Sequence, residues 1–74
     1  MRLKEMREDN DIKQKDLAKE LNILQNTYSQ YENGQRQVPI NILVNLALFY
    51  NTSVDYLLEL TDERSPYIRG KKYK

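Results

Sequence analysis

The sequence predicts an all-α domain that is built from five short helices. Apolar residues recur at intervals of three and four along the chain, which is the spacing of helices that bury one face. Only two glycines and two prolines occur among the 74 residues, and they leave little room for a sheet with tight turns. Residues that commonly end or begin helices separate the apolar stretches, notably Asn10-Asp11, Gly34 and Pro39.

These signals indicate where each helix should begin and end. The predicted helices run from about Arg2 to Asp9, Gln14 to Leu21, Gln25 to Asn33, Ile40 to Tyr50 and Val54 to Leu60. Between the second and third helices, Asn22 is expected to adopt a positive φ angle, with Ile23 as the apolar residue beneath the turn. Ser53 is expected to cap the fifth helix.

The composition excludes several classes of chemistry. The chain has no cysteine and no histidine, which excludes disulfides, thiolate nucleophiles, imidazole catalysis and the usual zinc sites. Carboxylates and lysines alternate on solvated faces without a glycine-rich phosphate loop, so an enzyme is the least favoured class and no cofactor or metal is expected. The charged N-terminus does not resemble a signal peptide, and the longest apolar run, Leu46–Tyr50, is too short to span a membrane. A cytoplasmic protein is therefore expected.

Charge is distributed unevenly along the chain. The net charge is +1, but residues 65–74 carry four cations and no acid, so the remainder is three charges negative. The sequence thus predicts a domain over residues 1–62 and a basic, flexible tail over residues 63–74. The alternative is that the tail is an arm that contacts phosphates, in which case deletion of residues 65–74 should flatten the salt dependence of nucleic-acid binding.

The third predicted helix divides its residues unusually between two faces. Its inner side carries Tyr28, Tyr31 and Glu32. Its outer side carries the polar residues Gln25, Asn26, Ser29, Gln30 and Asn33. Amide side chains both donate and accept hydrogen bonds, which is what recognition of a base edge requires. Taken alone, however, the pattern favours an ordinary solvated face.

The order and spacing of several short motifs resemble a known family. These motifs are Gln14-x-x-Leu17-Ala18, Ile23, Tyr31-Glu32-Asn33-Gly34, Pro39, Leu46-Ala47 and Ser53-Val54-Asp55-Tyr56-Leu57-Leu58. Together they resemble the Cro/cI-type (XRE) helix-turn-helix family, the lambda-repressor-like DNA-binding domain, over about residues 2–60. The resemblance implies a five-helix bundle in which helices 2 and 3 form the helix-turn-helix and helix 3 enters the major groove.

The resemblance also implies roles for individual residues. Base-edge contacts are expected from Gln25, Asn26 and Gln30, with Thr27 and Ser29 close enough to assist. Phosphate contacts are expected from Gln14, Asn33 and Arg36, although Gln14 could instead cap its own helix and Arg36 could be a loose surface cation. A structural ion pair is expected between Arg7 and Glu32. Because asparagine and glutamine pair well with adenine, the expected half-site contains A·T pairs.

Three positions depart from the family pattern. Lys13 and Leu24 stand where a serine or threonine commonly caps helices 2 and 3, and Asn22 stands where the turn glycine is common. Each lost cap costs about 1 kcal/mol and makes the start of helix 3 less certain from sequence. Leu24 could instead contact a thymine methyl group.

The predicted fourth helix is apolar nearly all round, which suggests that it is buried on more than one side. A two-fold interface formed by Leu48, Tyr56 and Leu60 would bury the second side in a homodimer, since the family usually binds palindromes as dimers. The alternative is that Leu48 is a single exposed apolar residue.

Two functions remain open at this stage. The preferred one is a small transcriptional regulator that binds double-stranded DNA, most simply a repressor, without a separate sensor domain and controlled by its concentration or by a partner protein. The other is a protein-interaction module, such as an antitoxin or adaptor, which would hold a partner on helix 4 or 5. The near-neutral charge and the apolar helix 4 slightly favour this alternative.

Overall fold

The computed structural model describes residues 1–68 and Gly70, and its regular elements are five α-helices. They are α1 (Leu3–Asp9), α2 (Gln14–Glu20), α3 (Gln25–Glu32), α4 (Ile40–Phe49) and α5 (Val54–Leu57). The prediction of an all-α, five-helix domain is therefore confirmed, and the first four helices match their predicted bounds to within one residue. No helix in the described part of the chain is long and apolar enough to cross a membrane.

The fifth helix is shorter than predicted. It ends at Leu57 rather than at Leu60, because Glu59 adopts a left-handed φ angle of 64°. The backbone N–H of Leu60 then donates a hydrogen bond to the carbonyl oxygen of Asp55 over 2.9 Å. The prediction was wrong here because apolar spacing continued to Leu60, whereas glutamate is not a residue that usually signals a left-handed turn.

All five helices end in the same way. A left-handed residue follows each helix, and these residues are Asp11, Asn22, Gly34, Asn51 and Glu59. The next residue in each case donates its N–H to a carbonyl five positions earlier, as Ile23 does to Ala18 over 2.9 Å. This arrangement satisfies carbonyl groups that the helix itself leaves unpaired. The expected positive φ of Asn22 is confirmed, with a value of 58°.

The helix starts are less uniform. Ser53 Oγ accepts a hydrogen bond from the Tyr56 N–H over 3.0 Å, so the predicted cap of α5 is confirmed. Lys13 and Leu24 provide no such bond at the starts of α2 and α3. Helix α3 nevertheless begins at Gln25, as the sequence predicted, because Leu24 has an extended backbone that ends the turn.

Every helix contributes a side chain to one hydrophobic core. The most deeply buried apolar residues are Leu3, Met6, Leu17, Ala18, Tyr28, Leu46 and Leu57. Helix α2 packs on α3, α1 also contacts α3, and α4 packs on α5. Because its inner face is buried by this packing, α3 presents the opposite face to solvent.

Helix α4 is not buried on all sides. Ile42, Leu43, Leu46 and Ala47 form its buried face, whereas Ile40, Leu48 and Phe49 remain exposed. The single chain therefore leaves apolar area of α4 uncovered.

Arg2 connects the start of the chain to the segment after α5. Its Nε donates to the Tyr56 carbonyl oxygen over 2.9 Å, and its Nη2 lies 3.0 Å from Asp62 Oδ1. The guanidinium also lies over the Tyr56 ring, 4.3 Å from the ring centroid. These contacts close the bundle around α5.

The first part of the predicted tail contacts the helical bundle. Thr52 Oγ1 donates to the carbonyl oxygen of Arg64, and the Tyr67 hydroxyl donates to Asp55 Oδ2 over 2.7 Å. Residues 64–67 are therefore attached to α5 and to the turn before it. The four cations of residues 65–74, which are Arg69, Lys71, Lys72 and Lys74, lie outside the described residues.

Candidate nucleic-acid interface

Helices α2 and α3 form the helix-turn-helix. Leu17 and Ala18 of α2 are buried, and the small side chain of Ala18 suits the close packing of α3. The left-handed Asn22 reverses the chain, and the half-buried Ile23 packs against the core beneath the turn, as the sequence predicted. This turn sets the direction of α3 relative to the rest of the bundle.

The two faces of α3 differ as expected from the sequence. Tyr28 and Tyr31 are buried, and the side chain of Glu32 is only 2% exposed. Gln25, Asn26 and Asn33 are exposed, whereas Thr27, Ser29 and Gln30 are half-buried. The helix therefore buries its aromatic residues and its one carboxylate, and presents neutral polar groups outward.

Gln14 from the start of α2 and residues of α3 line one groove. This amide groove, of about 410 Å³, is lined by Gln14, Gln25, Asn26 and Ser29. All four side chains are uncharged and each can both donate and accept hydrogen bonds. The structure thus brings together four of the residues for which DNA contacts are predicted.

The other predicted contact residues lie elsewhere. Arg36 is exposed in the loop after α3 and lines a separate groove with Tyr31 and Glu32. Gln30 and Asn33 belong to the second half of α3 and to its C-terminal end. An elongated ligand that follows α3 from its start to this loop could reach both groups, whereas a small molecule in the amide groove could not.

A buried ion pair lies next to Gln14, one of the residues that line the amide groove. Arg7 Nε donates to Glu32 Oε2 over 2.7 Å, and Arg7 Nη2 donates to Glu32 Oε1 over 3.2 Å. The Arg7 side chain is 13% exposed and donates further to the Ile12 carbonyl oxygen over 2.8 Å. Two-pronged geometry of this kind is among the stronger arrangements of arginine and carboxylate.

Gln14 completes this cluster. Its Nε2 donates to Glu32 Oε1 over 3.0 Å, so the Glu32 carboxylate accepts hydrogen bonds from two neighbouring helices. The sequence indicated that Gln14 and Glu32 both face inward, but it did not indicate that they are bonded to each other. The one signal in the sequence for this hydrogen bond was that Gln14, a polar residue, faces inward at the start of its helix.

The charge states in the cluster follow from these contacts. Burial by itself would raise the pKa of Glu32, but hydrogen bonds, first of all from Arg7, outweigh this effect and hold the pKa below its usual range. The hydrogen bond to Glu32 likewise raises the pKa of Arg7. Burial, reinforced by the Glu32 carboxylate, raises the pKa of Tyr28. The pair is therefore ionised at neutral pH, beside a neutral tyrosine.

The residues predicted to form a dimer interface occupy different environments. Leu48 is 37% exposed and lies in a third groove, the α4–α5 groove, of about 270 Å³, whose apolar lining includes Val44, Ala47 and Val54. Leu60 is 72% exposed and follows the end of α5. Tyr56 is half-buried, with one ring face beneath Arg2.

The rest of the described surface offers no metal site. Among residues 1–68 and Gly70, no group of three or more acidic side chains is arranged to hold a metal ion.

The match to a known family spans the whole helical bundle. The HTH_3 family, described as helix-turn-helix, matches residues 3–57, from the start of α1 to the end of α5. The chain belongs to the Cro/cI-type helix-turn-helix family. The resemblance inferred from the sequence motifs is thereby confirmed.

Two curated relatives are similar to this chain, and both come from Bacillus subtilis (strain 168). The uncharacterized HTH-type transcriptional regulator YobD is 36% identical over 73 residues, covering 99% of this chain and 65% of YobD. The HTH-type transcriptional regulator ImmR is 44% identical over 57 residues, covering 77% of this chain and 45% of ImmR. This chain therefore spans only part of the length of both relatives. No solved structure matches it.

Proposed function

We propose that this chain binds double-stranded DNA in a sequence-specific manner and regulates transcription. The observation that carries the proposal is the outward face of α3, which presents amide groups beside Gln14 in the amide groove. Both curated relatives bear the name of transcriptional regulators, which supports the same function here. Such a regulator would work in the cytoplasm.

In this proposal, α3 lies in the major groove with Gln25, Asn26 and Gln30 directed to base edges, and Thr27 and Ser29 assist. Gln14, Asn33 and Arg36 contact phosphates on either side and set the position of the helix on the duplex. Since the described surface contributes few cations at these positions, affinity depends more on hydrogen bonds than on a broad basic field.

The simplest mode of action is repression by a homodimer that occupies a palindromic operator. The exposed Leu48 and Leu60 support a dimer, because an isolated bundle leaves these side chains in water. Tyr56 would contribute only the ring face that Arg2 does not cover. If residues beyond Ile68 contact phosphates, they add a sequence-independent contribution to this binding.

A second candidate is supported by the α4–α5 groove. Its apolar lining could hold a segment of a partner protein, in which case the chain would be a protein-interaction module of the antitoxin or adaptor type.

One set of variants separates the two candidates. Replacing Gln25, Asn26 and Gln30 together by alanine should abolish sequence-specific DNA binding, because each bidentate base contact contributes about 1–3 kcal/mol. The matched control replaces Asn41 and Asn45, which are exposed amides on α4, and should change DNA affinity less than about twofold. If the triple variant retains the biological activity and the affinity of the wild type, DNA reading by α3 is wrong and the protein-interaction module is favoured.

A further inference from the structure

A hydrogen bond connects the amide groove to the buried ion pair of Arg7 and Glu32. Gln14 Nε2 donates to Glu32 Oε1 over 3.0 Å, while Glu32 Oε2 accepts from Arg7 Nε over 2.7 Å. Gln14 is half-buried and lines the groove, whereas Glu32 is almost entirely buried. Gln14 therefore connects the Glu32 carboxylate to the amide groove.

We propose that Glu32 is a positioning residue for DNA binding, which acts by fixing the orientation of the Gln14 amide. The inference rests on the proposed function and adds a role to an ion pair that the sequence suggested was purely structural.

The chemistry of the two side chains explains the effect. The terminal torsion of a glutamine is broad and roughly two-fold, so a free amide readily exchanges its nitrogen and oxygen positions. An ionised carboxylate only accepts hydrogen bonds, and Glu32 therefore selects the orientation in which the Gln14 nitrogen points inward. The second N–H of that nitrogen remains available to a phosphate oxygen. Less side-chain freedom is then lost when DNA binds.

Glu32 can perform this role because it is itself held in place. Arg7 donates to both carboxylate oxygens, and its Nη1 is anchored on the Ile12 carbonyl oxygen. The connection therefore runs from α1, through the C-terminal end of α3, to the first residue of α2. A substitution of Arg7 or of Glu32 should therefore alter the orientation of the Gln14 amide.

A double-mutant cycle tests the proposal. The full chain, with Gln14→Ala and Glu32→Gln alone and together, is titrated with a mixed-sequence duplex at low salt, because phosphate contacts do not depend on base sequence. In the wild-type background, Gln14→Ala should weaken binding about tenfold, as expected for one hydrogen bond to a charged group. In the Glu32→Gln background, Gln14→Ala should weaken binding less than about twofold. The glutamine at position 32 has only one acceptor oxygen, and Arg7 competes with Gln14 for it, so the Gln14 amide is no longer held in one orientation.

Arg36→Ala provides the matched control, because Arg36 lines a groove with Glu32 but donates no hydrogen bond to it in the described part of the chain. Its effect should be the same in both backgrounds. A DNA-free readout is the side-chain NH₂ signal of Gln14 in nitrogen-15 NMR, which should shift in the Glu32→Gln variant. A residue that served only to stabilise the fold would leave the cycle additive.

Several outcomes overturn the proposal. If Gln14→Ala weakens binding equally in both backgrounds, or in neither, Glu32 does not position the Gln14 amide. The proposed function would still stand in that case, provided that the α3 variants lose DNA binding. If Glu32→Gln does not fold, Glu32→Asp replaces it in the cycle, because it retains the charge and withdraws the carboxylate from Gln14. A wild-type chain that binds no duplex would contradict the proposed function itself.

Discussion

Arg7 and Glu32 form a buried ion pair that joins α1 to the last residue of α3, with 2.7 Å between Arg7 Nε and Glu32 Oε2. The two residues are 25 positions apart in the sequence, and Gln14, which lines the amide groove, donates a hydrogen bond to the Glu32 carboxylate of this pair. It thus belongs both to the core and to the base of the candidate DNA surface.

Removal of one partner should destabilise the fold. Glu32→Ala leaves the Arg7 guanidinium buried without its counter-ion, so the free energy of unfolding should fall by about 3 kcal/mol. Urea denaturation followed by circular dichroism measures this change. Glu20→Ala, at an exposed carboxylate that ends α2, should change it by less than about 0.5 kcal/mol. A loss below about 1 kcal/mol from Glu32→Ala would show that the pair is not important for stability.

Acid should weaken the fold through the same carboxylate. Because the pKa of Glu32 is lower in the folded chain than in the unfolded chain, the unfolded chain takes up its proton first as the pH falls. The stabilisation is present above the unfolded value of about 4.3 and is lost as the pH falls through the folded value. Urea titrations between about pH 6 and pH 3 should therefore show a steeper loss for the wild type than for Glu32→Gln. Parallel curves would mean that Glu32 titrates normally.

Tyr50 carries a hydroxyl whose burial is not compensated. Its oxygen is buried without a hydrogen-bond partner in the described part of the chain, and its ring packs edge-on against Phe49. Tyr50→Phe should therefore raise the free energy of unfolding by about 1 kcal/mol at neutral pH. Tyr67→Phe, which removes a hydroxyl that bonds to Asp55, should not stabilise the chain. A destabilised Tyr50→Phe variant would indicate a partner for this hydroxyl.

The same hydroxyl should make the fold sensitive to alkali. Burial raises the pKa of Tyr50 to about 12, above the unfolded value of about 10. The unfolded chain therefore loses this proton first, and stability should fall as the pH rises from about 10 to about 12. Tyr50→Phe should show a shallower decline in thermal melts over this range. An identical decline would assign the effect to other groups.

The proposed dimer depends on the exposed end of α4. Leu48→Asp places a charge in the α4–α5 groove and should shift the chain towards monomer, which sedimentation equilibrium measures directly. DNA binding should weaken in parallel, because a monomer contacts one half-site. Ile40→Asp, at a more exposed apolar residue near the start of the same helix, is the control and should leave the assembly unchanged. A Leu48→Asp variant that remains dimeric would place the interface elsewhere.

Much of the fold could be predicted because local rules decide it. Helical spacing and the breakers Asn22, Gly34 and Pro39 were sufficient for the first four helices. The end of α5 was missed, because Glu59 adopts a left-handed conformation for which glutamate has no preference of its own.

Contacts between residues that are distant in the sequence were harder to predict from the sequence. The inward faces of Arg7 and Glu32 were evident from their spacing, and the family resemblance suggested their pairing. The bond from Gln14 to Glu32 spans 18 positions, and no periodicity brings these two side chains together. The same holds for the contacts of Arg2 with the chain beyond α5, since a charged residue near the N-terminus usually indicates a solvated position.

The most direct test of the proposed function is selection of bound duplexes from a random DNA pool at near-physiological salt. The proposal predicts an enriched palindrome with A·T pairs at the positions that face Gln25, Asn26 and Gln30, and the spacing of its half-sites would report the geometry of the dimer. Weak, salt-sensitive binding without enrichment would contradict sequence-specific reading by α3.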